Sequence, residues 1–218
     1  MATMVPGGYD SSADLSHVRW IGGASGAGKS TIARRLARRH GLHLYDTDAL
    51  MGEHAARSTP QDSPQLAAFL AMSMDERWLN RSPQTMLETF HWYRGEGFAS
   101  IVDDLRRLPA QPGVLAEGFR LLPHLVRPWL GDPPRAVWLL PTPEFRRQAF
   151  ASRGATWHIA GRTTDPPRAL ANLLERDGMF TEQLRAETAR LGLPAITVEP
   201  GCTEDDLTDR VGIQLGLT

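Results

Sequence analysis

Short apolar runs alternate with longer amphipathic segments along the chain. Residues 18–21 are apolar except for Arg19 and lead through a glycine-rich loop into residues 30–40, where Ile32 and Leu36 recur at helical spacing among arginines. Gly41 is placed to end that helix. Strands that alternate with helices predict parallel βαβ units covered on both faces. The four further predicted strands are residues 42–45, 113–116, 136–140 and 195–198.

Two intervening regions lack a strand-like pattern. Residues from about 64 to 107 are predicted to be rich in helix, with breaks near residues 82–83 and 94–95, where Pro or Gly interrupts the pattern. Residues 153–167 contain two glycines and a Pro-Pro pair. Because such residues favour irregular surface structure, this segment is predicted to be an exposed loop or lid between two helices.

The composition is that of an ordinary globular protein of 218 residues, with 41% hydrophobic residues. Lysine plus arginine (24) nearly balance aspartate plus glutamate (25), which argues against binding to long nucleic acids or to an anionic membrane. The sequence contains neither an apolar run of the roughly 20 residues that span a bilayer nor a secretion-signal pattern. The single cysteine, Cys202, suits a reducing compartment. We therefore expect a cytoplasmic protein, with residues 1–16 as a flexible lead-in and residues 17–218 as one domain.

A glycine-rich segment between the first strand and the first helix carries the strongest chemical signal. A phosphate chain needs many hydrogen-bond donors that approach without obstruction, and the backbone N–H groups of small residues supply them. Lys29 can reach the β and γ phosphates, and the Ser30 hydroxyl is placed to ligate Mg²⁺. The pattern predicts binding of ATP, or a close relative, together with Mg²⁺. The predicted nucleotide-binding residues are Gly23, Ala24, Ser25, Gly26, Ala27, Gly28, Lys29, Ser30 and Thr31.

Acidic residues follow two of the predicted strands. Asp46 and Asp48 come just after the second strand, and ligands of doubly wound sheets bind beyond such strand ends. One carboxylate could order a water on Mg²⁺ while the other accepts a proton from an attacking hydroxyl, although Asp48 could instead cap a helix that begins at Ala49. Glu117 ends the third strand and is predicted to serve the metal. Arg120 is predicted to hold a second anion. The alternative is that Glu117 and Arg120 are both surface residues.

With these residues, the chain resembles the adenylate-kinase-like superfamily of P-loop phosphotransferases, which includes nucleoside monophosphate kinases, shikimate kinase and gluconate kinase. Residues 45–48, YDTD, are similar to the Asp-Thr-Asp segment of shikimate kinase, in which the first acid serves the metal and the second the acceptor hydroxyl. The resemblance thus implies a metal role for Asp46 and an acceptor-binding, catalytic role for Asp48. Residues 117–120, EGFR, resemble the Asp-Gly-Phe-Pro-Arg segment of nucleoside monophosphate kinases, with glutamate for aspartate and without the proline.

The resemblance implies an α/β fold with a five-stranded parallel sheet of order 2-3-1-4-5, flanked by helices. It also implies a helical acceptor-binding insert at about residues 53–107 and a lid at about residues 152–168 that closes over ATP. Arginines of such a lid would stabilise the charge of the transferring phosphoryl group, so Arg153 and Arg176 are expected to be catalytic with Lys29. Each of these arginines could also be a solvated surface residue. The full set of arginine candidates is Arg146, Arg147, Arg153, Arg162 and Arg176.

Aromatic residues are concentrated in the predicted acceptor region. Trp78, Trp92 and Tyr93 could stack on a flat ring of the acceptor, but they could equally fill a helical core. We expect His91 to be a hydrogen-bonded structural residue and not a base. Arginines that could pair with a phosphate or carboxylate of the acceptor are Arg77, Arg81 and Arg94.

Three functional hypotheses are compatible with the sequence. The leading one is an ATP-dependent kinase that acts on a hydroxyl of a small molecule, as the acid pair suggests, or on an existing phosphate, as Arg120 suggests. The second is a nucleotide-dependent switch or regulatory ATPase that makes no phosphorylated small molecule. The third is a polynucleotide or sugar-nucleotide kinase, and the balanced charge argues against long nucleic acids.

Overall fold

A single five-stranded parallel sheet forms the centre of the molecule, in the order β2-β3-β1-β4-β5. The computed structural model describes residues 15–152 and 159–217. The sheet confirms the predicted fold class and strand order. Its strands are β1 (Val18–Gly23), β2 (His43–Asp46), β3 (Val114–Glu117), β4 (Ala136–Pro141) and β5 (Ala195–Val198).

Ten α-helices surround the sheet in the described part of the chain. The longest has 26 residues, begins at its cap Asp165, whose carboxylate accepts the backbone N–H of Arg168, and ends at Gly192. The helices are α1 (Lys29–His40), α2 (Met51–Arg57), α3 (Pro64–Ala71), α4 (Met74–Trp78), α5 (Pro83–Thr89), α6 (Phe98–Arg107), α7 (Pro123–Val126), α8 (Pro143–Ser152), α9 (Pro166–Leu191) and α10 (Glu204–Gln214). Short 3₁₀ helices span His91–Arg94, Arg127–Trp129 and Ala160–Arg162. No helix of the described residues is long and apolar enough to cross a membrane.

Side chains of the central strands alternate between two hydrophobic cores. Trp20 of β1 and Trp138 of β4 are fully buried in one core, which also contains residues of α6 and α9. Ile21, next to Trp20, points to the opposite core with Ile32 and Leu36 of α1. Because every position of β3 and β4 is buried, these strands are apolar except for Glu117 at the end of β3, as expected for a parallel sheet covered on both faces.

The strand register brings acidic and glycine residues to the same edge of the sheet. Asp46 at the end of β2 is paired with Glu117 at the end of β3, and Glu117 is paired with Ile21 of β1. Beyond Ile21, β1 continues to Gly23, two residues further than predicted, because Gly22 and Gly23 still pair with β4. Parallel strands therefore deliver the phosphate loop and the acids to one place.

The predicted boundaries of the flexible lead-in and the helical insert can be compared with the structure. Residues 1–14 lie outside the described residues, but Leu15 is buried in the core and its carbonyl accepts the Val18 N–H, so the folded part includes residue 15. Residues 53–107, all of which the structure describes, contain most of α2, all of α3 to α6 and no strand. A third hydrophobic cluster lies here, built on Phe69, Trp78 and Phe90.

Candidate active site

The phosphate loop connects β1 to α1 and borders an open polar cavity of about 460 Å³. Gly28 adopts φ 82° at the helix start, in the left-handed region that favours glycine. The Lys29 ammonium is buried and donates to the Ala24 carbonyl at 3.0 Å, so the side chain is held against the loop. The cavity is lined by Ser25, Gly26, Gly28, Lys29, Ser30, Thr31, Arg34, Asp46 and Asp48.

Asp48 lies in this cavity beside Lys29. Its carboxylate accepts a hydrogen bond from the Thr47 hydroxyl at 3.2 Å. Burial raises the pKa of Asp48, while the Lys29 ammonium acts in the opposite direction. A carboxylate with a raised pKa that faces the phosphate loop has the chemistry of a proton acceptor for a substrate hydroxyl.

Asp46 has a structural task in the same turn. One of its carboxylate oxygens accepts the backbone N–H groups of Asp48 and Ala49, both at 3.0 Å. Helix α2 begins at Met51, and its cap residue Leu50 makes no side-chain capping hydrogen bond, so Asp48 does not perform the capping role that the sequence suggested for it. The turn that Asp46 stabilises fixes where the Asp48 carboxylate lies.

Glu117 is fully buried at the end of β3, so the surface alternative for this residue is wrong. Neither carboxylate oxygen has a hydrogen bond of normal geometry in the described part of the chain. Burial raises the pKa of Glu117 to about 7, against the opposing effects of Lys29 and Ser30. A buried carboxylate with two unsatisfied oxygens beside a cationic loop is suited to a cation or its ordered water.

The predicted metal residues Ser30, Asp46 and Glu117 fit Mg²⁺ only as a partial set. Within the described residues, no three acidic or histidine side chains come together as a metal cluster. Mg²⁺ at nucleotide sites commonly takes one or two protein ligands and completes its shell with phosphate oxygens and water. The Ser30 hydroxyl and the unsatisfied Glu117 carboxylate fit that pattern, and so does Asp46, which lines the cavity and uses only Oδ1 for its turn.

Gly118 allows the ends of β2 and β3 to approach closely. It adopts φ 148°, and a Cβ atom at this position would overlap the Thr47 hydroxyl and lie 2.7 Å from Asp48 Oδ1. Any larger residue would displace the turn that carries Asp48. The EGFR segment is thus shaped by contact with the YDTD segment.

Arg120 does not line the phosphate cavity, and the role predicted for it requires correction. Its guanidinium is buried and donates to the carbonyls of Thr47 and Gly97, both at 3.1 Å, and lies 2.8 Å from His54 Nδ1. It also sits 4.1 Å from the centre of the Trp92 ring. Burial lowers the pKa of Arg120 to about 10, against the effect of Asp48. Because its Nη1 and Nη2 donate to internal partners, Arg120 braces the acid turn, and it does not line the phosphate cavity where an anion was predicted.

A second cavity, of about 280 Å³, lies next to the phosphate loop and is largely aromatic. The rings of Phe69 and Trp78 meet edge to face with centroids 5.2 Å apart, and Phe90 meets Tyr93 similarly at 4.8 Å. Ser25 of the phosphate loop lines this cavity as well as the polar one. We call this space the aromatic cavity, and it is lined by Ser25, Met51, Phe69, Trp78, Phe90, His91, Trp92, Tyr93, Phe119, Ile159, Arg176 and Asp177.

Arg176 lines the aromatic cavity and not the phosphate cavity. Its Nε and Nη2 donate to Asp177 Oδ1 at 3.0 and 2.7 Å, and the Tyr93 hydroxyl donates to the same oxygen at 3.0 Å. The guanidinium lies 4.9 Å from the centre of Phe90 and 5.3 Å from that of Tyr93. Burial alone would lower the pKa of Arg176, but Tyr93 and Asp177 outweigh it and raise that pKa. Arg176 therefore does not lie in the phosphate cavity, where its predicted catalytic role would place it.

The other lid candidates also lie away from the phosphate loop or outside the described chain. Arg153 falls in residues 153–158, outside the described residues. Arg146 is buried in α8 and donates to the Thr181 hydroxyl of α9, so it is not a lid residue. Arg147 and Arg162 are exposed and line neither cavity.

Arginines of the acceptor region are likewise engaged elsewhere. Arg77 lies 4.8 Å over the Phe69 ring and donates to the Leu70 carbonyl, and Arg81 donates to the Thr89 hydroxyl at 2.8 Å. Arg94 is exposed. None of the three lines the aromatic cavity.

One cationic residue of the phosphate cavity was missed by the sequence reasoning. Arg34 lines the polar cavity, four residues after Ser30 and three after Thr31. Residues at those spacings share one face of a helix, and this signal could have identified Arg34. It was instead grouped with the other arginines on the outer surface of α1.

His91 lies in the aromatic cluster rather than in a hydrogen-bonded position. Its ring centre is 4.8 Å from that of Phe69 and 4.4 Å from that of Trp92, and its buried Nδ1 has no partner among the described residues. Burial, with Arg120 and Arg77, lowers the pKa of His91 to about 3. The expectation of a hydrogen bond at Nδ1 is not met, because neighbouring aromatic rings occupy the space.

The lowered pKa of His91 predicts an acid-dependent loss of stability. Between about pH 6.5 and pH 3 the unfolded chain binds a proton at residue 91 that the folded protein does not bind. The free energy of unfolding therefore decreases as the pH is lowered through this range. The limiting slope is about 1.4 kcal/mol per pH unit. We expect His91→Phe to unfold in urea with a smaller decrease of stability between about pH 7 and pH 5. His43→Gln, at an exposed histidine, serves as the control. Parallel pH curves for wild type and His91→Phe would contradict the assignment.

Comparison with known proteins gives one family match and several fold matches. A family model described as an AAA domain matches residues 18–169. No curated protein matches the chain significantly. The structure of deoxyadenosine kinase from M. mycoides with bound dATP matches with a TM-score of 0.50 at 10% sequence identity, over 91% of this chain and 99% of that chain. TT1252 from Thermus thermophilus matches with a TM-score of 0.49 at 21% identity, over 92% of this chain and 97% of that chain.

Proposed function

The chain belongs to the AAA domain family, and from that premise we propose that it is an ATP-dependent phosphotransferase that moves the γ-phosphoryl group to a hydroxyl of a small molecule. ATP occupies the polar cavity, and the acceptor occupies the aromatic cavity. We place the reaction in the cytoplasm, where ATP and Mg²⁺ are available.

The observation that carries this proposal is the shared wall at Ser25. The polar cavity and the aromatic cavity both include this loop residue. A phosphate chain bound by the loop would therefore end beside the space in which a ring compound fits. Transfer between two bound molecules requires that their reacting atoms be held about 3–3.5 Å apart, and adjoining cavities support the proposal because they allow such an approach.

The residues around the loop supply the electrostatic part of the reaction. The Lys29 ammonium and the N-terminal N–H groups of α1 face the position of the phosphates, where they stabilise negative charge on the transferring group. When bound, Mg²⁺ would neutralise further negative charge on the phosphates. Ser30, Asp46 and Glu117 are the residues suited to hold it.

Asp48 is the proposed proton acceptor. In the reaction the acceptor oxygen forms a bond to the γ phosphorus, the bond from that phosphorus to the β-γ bridging oxygen breaks, and the hydroxyl proton moves to Asp48. The products are ADP and a phosphate ester. The raised pKa of Asp48 favours this task, because a more basic carboxylate binds the proton better.

A hydroxyl acceptor is favoured over a phosphate acceptor by the positions of the arginines. Arg120, on which the phosphate alternative depended, lines neither cavity. Arg176 lines the aromatic cavity but is already bound to Asp177. An acceptor that carries a phosphate would thus lack a free cation among the described residues of that cavity.

Product analysis tests the proposed function. The full chain is incubated with ATP, Mg²⁺ and fractions of a small-molecule extract, and mass spectrometry searches for compounds that gain one phosphoryl group. We expect at least one hydroxyl compound to be phosphorylated by the wild type and not by Lys29→Ala. Formation of inorganic phosphate alone, or the absence of a phosphorylated product in every fraction, would contradict the proposal.

A further inference from the structure

We propose that the aromatic cavity selects an uncharged flat ring whose edge carries a hydrogen-bond acceptor next to a hydrogen-bond donor, as in a cyclic amide. This inference rests on the proposed function, because it names the class of acceptor for that site. It assigns Arg176 and Asp177 as the residues that determine specificity.

The shape of the cavity favours a flat ring. Phe69, Trp78 and Phe90 contact one another with ring centroids 5.2 to 5.9 Å apart. Phe119 lies nearly parallel to Phe90, with an angle of 22° between the planes. Aromatic rings that line a cavity favour an aromatic guest that stacks on them or meets them edge to face.

The charge balance of the cavity disfavours an ionised guest. Arg176 and Asp177 are the only two charged residues among those that line it in the described chain, and their charges cancel. His91 is neutral at pH 7 because its pKa is lowered to about 3. A carboxylate or phosphate on the ring would have to be desolvated without a free counter-charge, which is costly.

Two buried polar atoms of this ion pair have no partner. Arg176 is 6% exposed and Asp177 is 1% exposed, yet Arg176 Nη1 and Asp177 Oδ2 have no hydrogen bond within the described residues. The nitrogen is a donor, and the carboxylate oxygen is an acceptor. Buried groups of this kind are nearly always satisfied in proteins, so a ligand that supplies one acceptor and one donor fits the pair.

Hydrogen bonding at this pair would orient the ring in the cavity. A cyclic amide offers its carbonyl to Arg176 and its N–H to Asp177, with both groups on one edge. The rest of the ring then lies among the aromatic walls of the cavity, which Ser25 of the phosphate loop also lines. A hydroxyl borne on or near the ring would have to reach that loop to be phosphorylated.

Three bicyclic probes of equal framework test this specificity without ATP. Quinolin-2-one carries the amide edge, quinoline lacks it, and quinoline-2-carboxylate adds a negative charge. Ligand-observed NMR titration of the full chain gives their dissociation constants. We expect quinolin-2-one to bind at least about tenfold more tightly than quinoline and quinoline-2-carboxylate to bind most weakly, because only the amide satisfies both buried groups. Equal affinities, tightest binding of the carboxylate, or no binding of any probe would overturn the proposal.

A charge-removing variant gives a second and independent readout. In Asp177→Asn the guanidinium of Arg176 loses its counter-charge, so we expect quinoline-2-carboxylate to gain at least about tenfold in affinity relative to quinolin-2-one. Glu175→Gln removes the same charge from an exposed neighbour on α9 and should leave the order of the probes unchanged. A general structural defect would weaken all three probes together, and an unchanged order in Asp177→Asn would contradict the role of the pair.

A failure of this inference can be distinguished from a failure of the proposed function. The probe affinities are measured without nucleotide, so they report on the cavity alone. If phosphorylated products form but the probe order fails, the acceptor class is wrong while the phosphotransfer stands. If the probe order holds but no product forms, the cavity binds rings for another purpose.

Discussion

The substitution Lys29→Ala is expected to lower the rate of phosphoryl transfer by at least about 100-fold. The buried ammonium is held at the loop by the Ala24 carbonyl and faces the polar cavity. The ammonium stabilises the negative charge that develops on the transferring phosphoryl group. An alanine side chain carries no positive charge that could replace it. Single-turnover transfer from labelled ATP measures the effect.

The matched control for Lys29→Ala is Arg38→Ala, which removes an exposed cation from the same helix. We expect this variant to transfer at the wild-type rate. Unchanged turnover in Lys29→Ala, with ATP still bound at the loop, would refute the catalytic assignment of the phosphate loop.

The substitution Asp48→Asn is expected to reduce turnover by about 100-fold or more while the dissociation constant of ATP changes little. Asparagine keeps the size of the side chain and can still accept the hydrogen bond from the Thr47 hydroxyl. It cannot take up the proton of an acceptor alcohol. Turnover is measured at saturating substrates, and ATP affinity is measured by calorimetry.

Asp103→Asn, at an exposed carboxylate of α6, is the control for that substitution. A loss of ATP affinity in Asp48→Asn equal to the loss of turnover would make Asp48 a metal-binding or structural residue. Comparable turnover of wild type and Asp48→Asn would exclude it as the proton acceptor.

The local signals in the sequence were sufficient for the fold and for the phosphate loop. Apolar runs such as residues 136–140 have to be buried on both faces, and the glycine-rich loop lies between a strand and a helix that are adjacent in sequence. The P-loop kinase fold and its 2-3-1-4-5 sheet were therefore predictable, and both are confirmed.

The assignments of Arg120 and Arg146 failed because the positions of these side chains depend on contacts between residues far apart in the chain. Arg120 is fixed by Thr47 and Gly97, and Arg146 by Thr181. A single arginine in a sequence gives no sign of such partners, and arginines are mostly exposed. Proximity to a motif was therefore a poor guide to function for these residues.

The structure agrees with the interpretation that the aromatic residues fill a core, whereas their stacking on an acceptor stays a prediction. Trp78 and Phe90 belong to a hydrophobic cluster and also line the cavity next to Ser25. Composition alone could not separate a filled core from a cavity wall, because both require the same residue types. The unsatisfied atoms of Arg176 and Asp177 become visible only when α9 is packed against this cluster.

The label balance of a single turnover tests the central claim most directly. The full chain is mixed with ATP labelled in the γ-phosphoryl group, with and without the acceptor identified by product analysis. We predict that nearly all released label appears on the acceptor when the acceptor is saturating, and that little label leaves ATP in its absence. Release of inorganic phosphate at the same rate with and without the acceptor would contradict a phosphotransferase and would favour a regulatory ATPase.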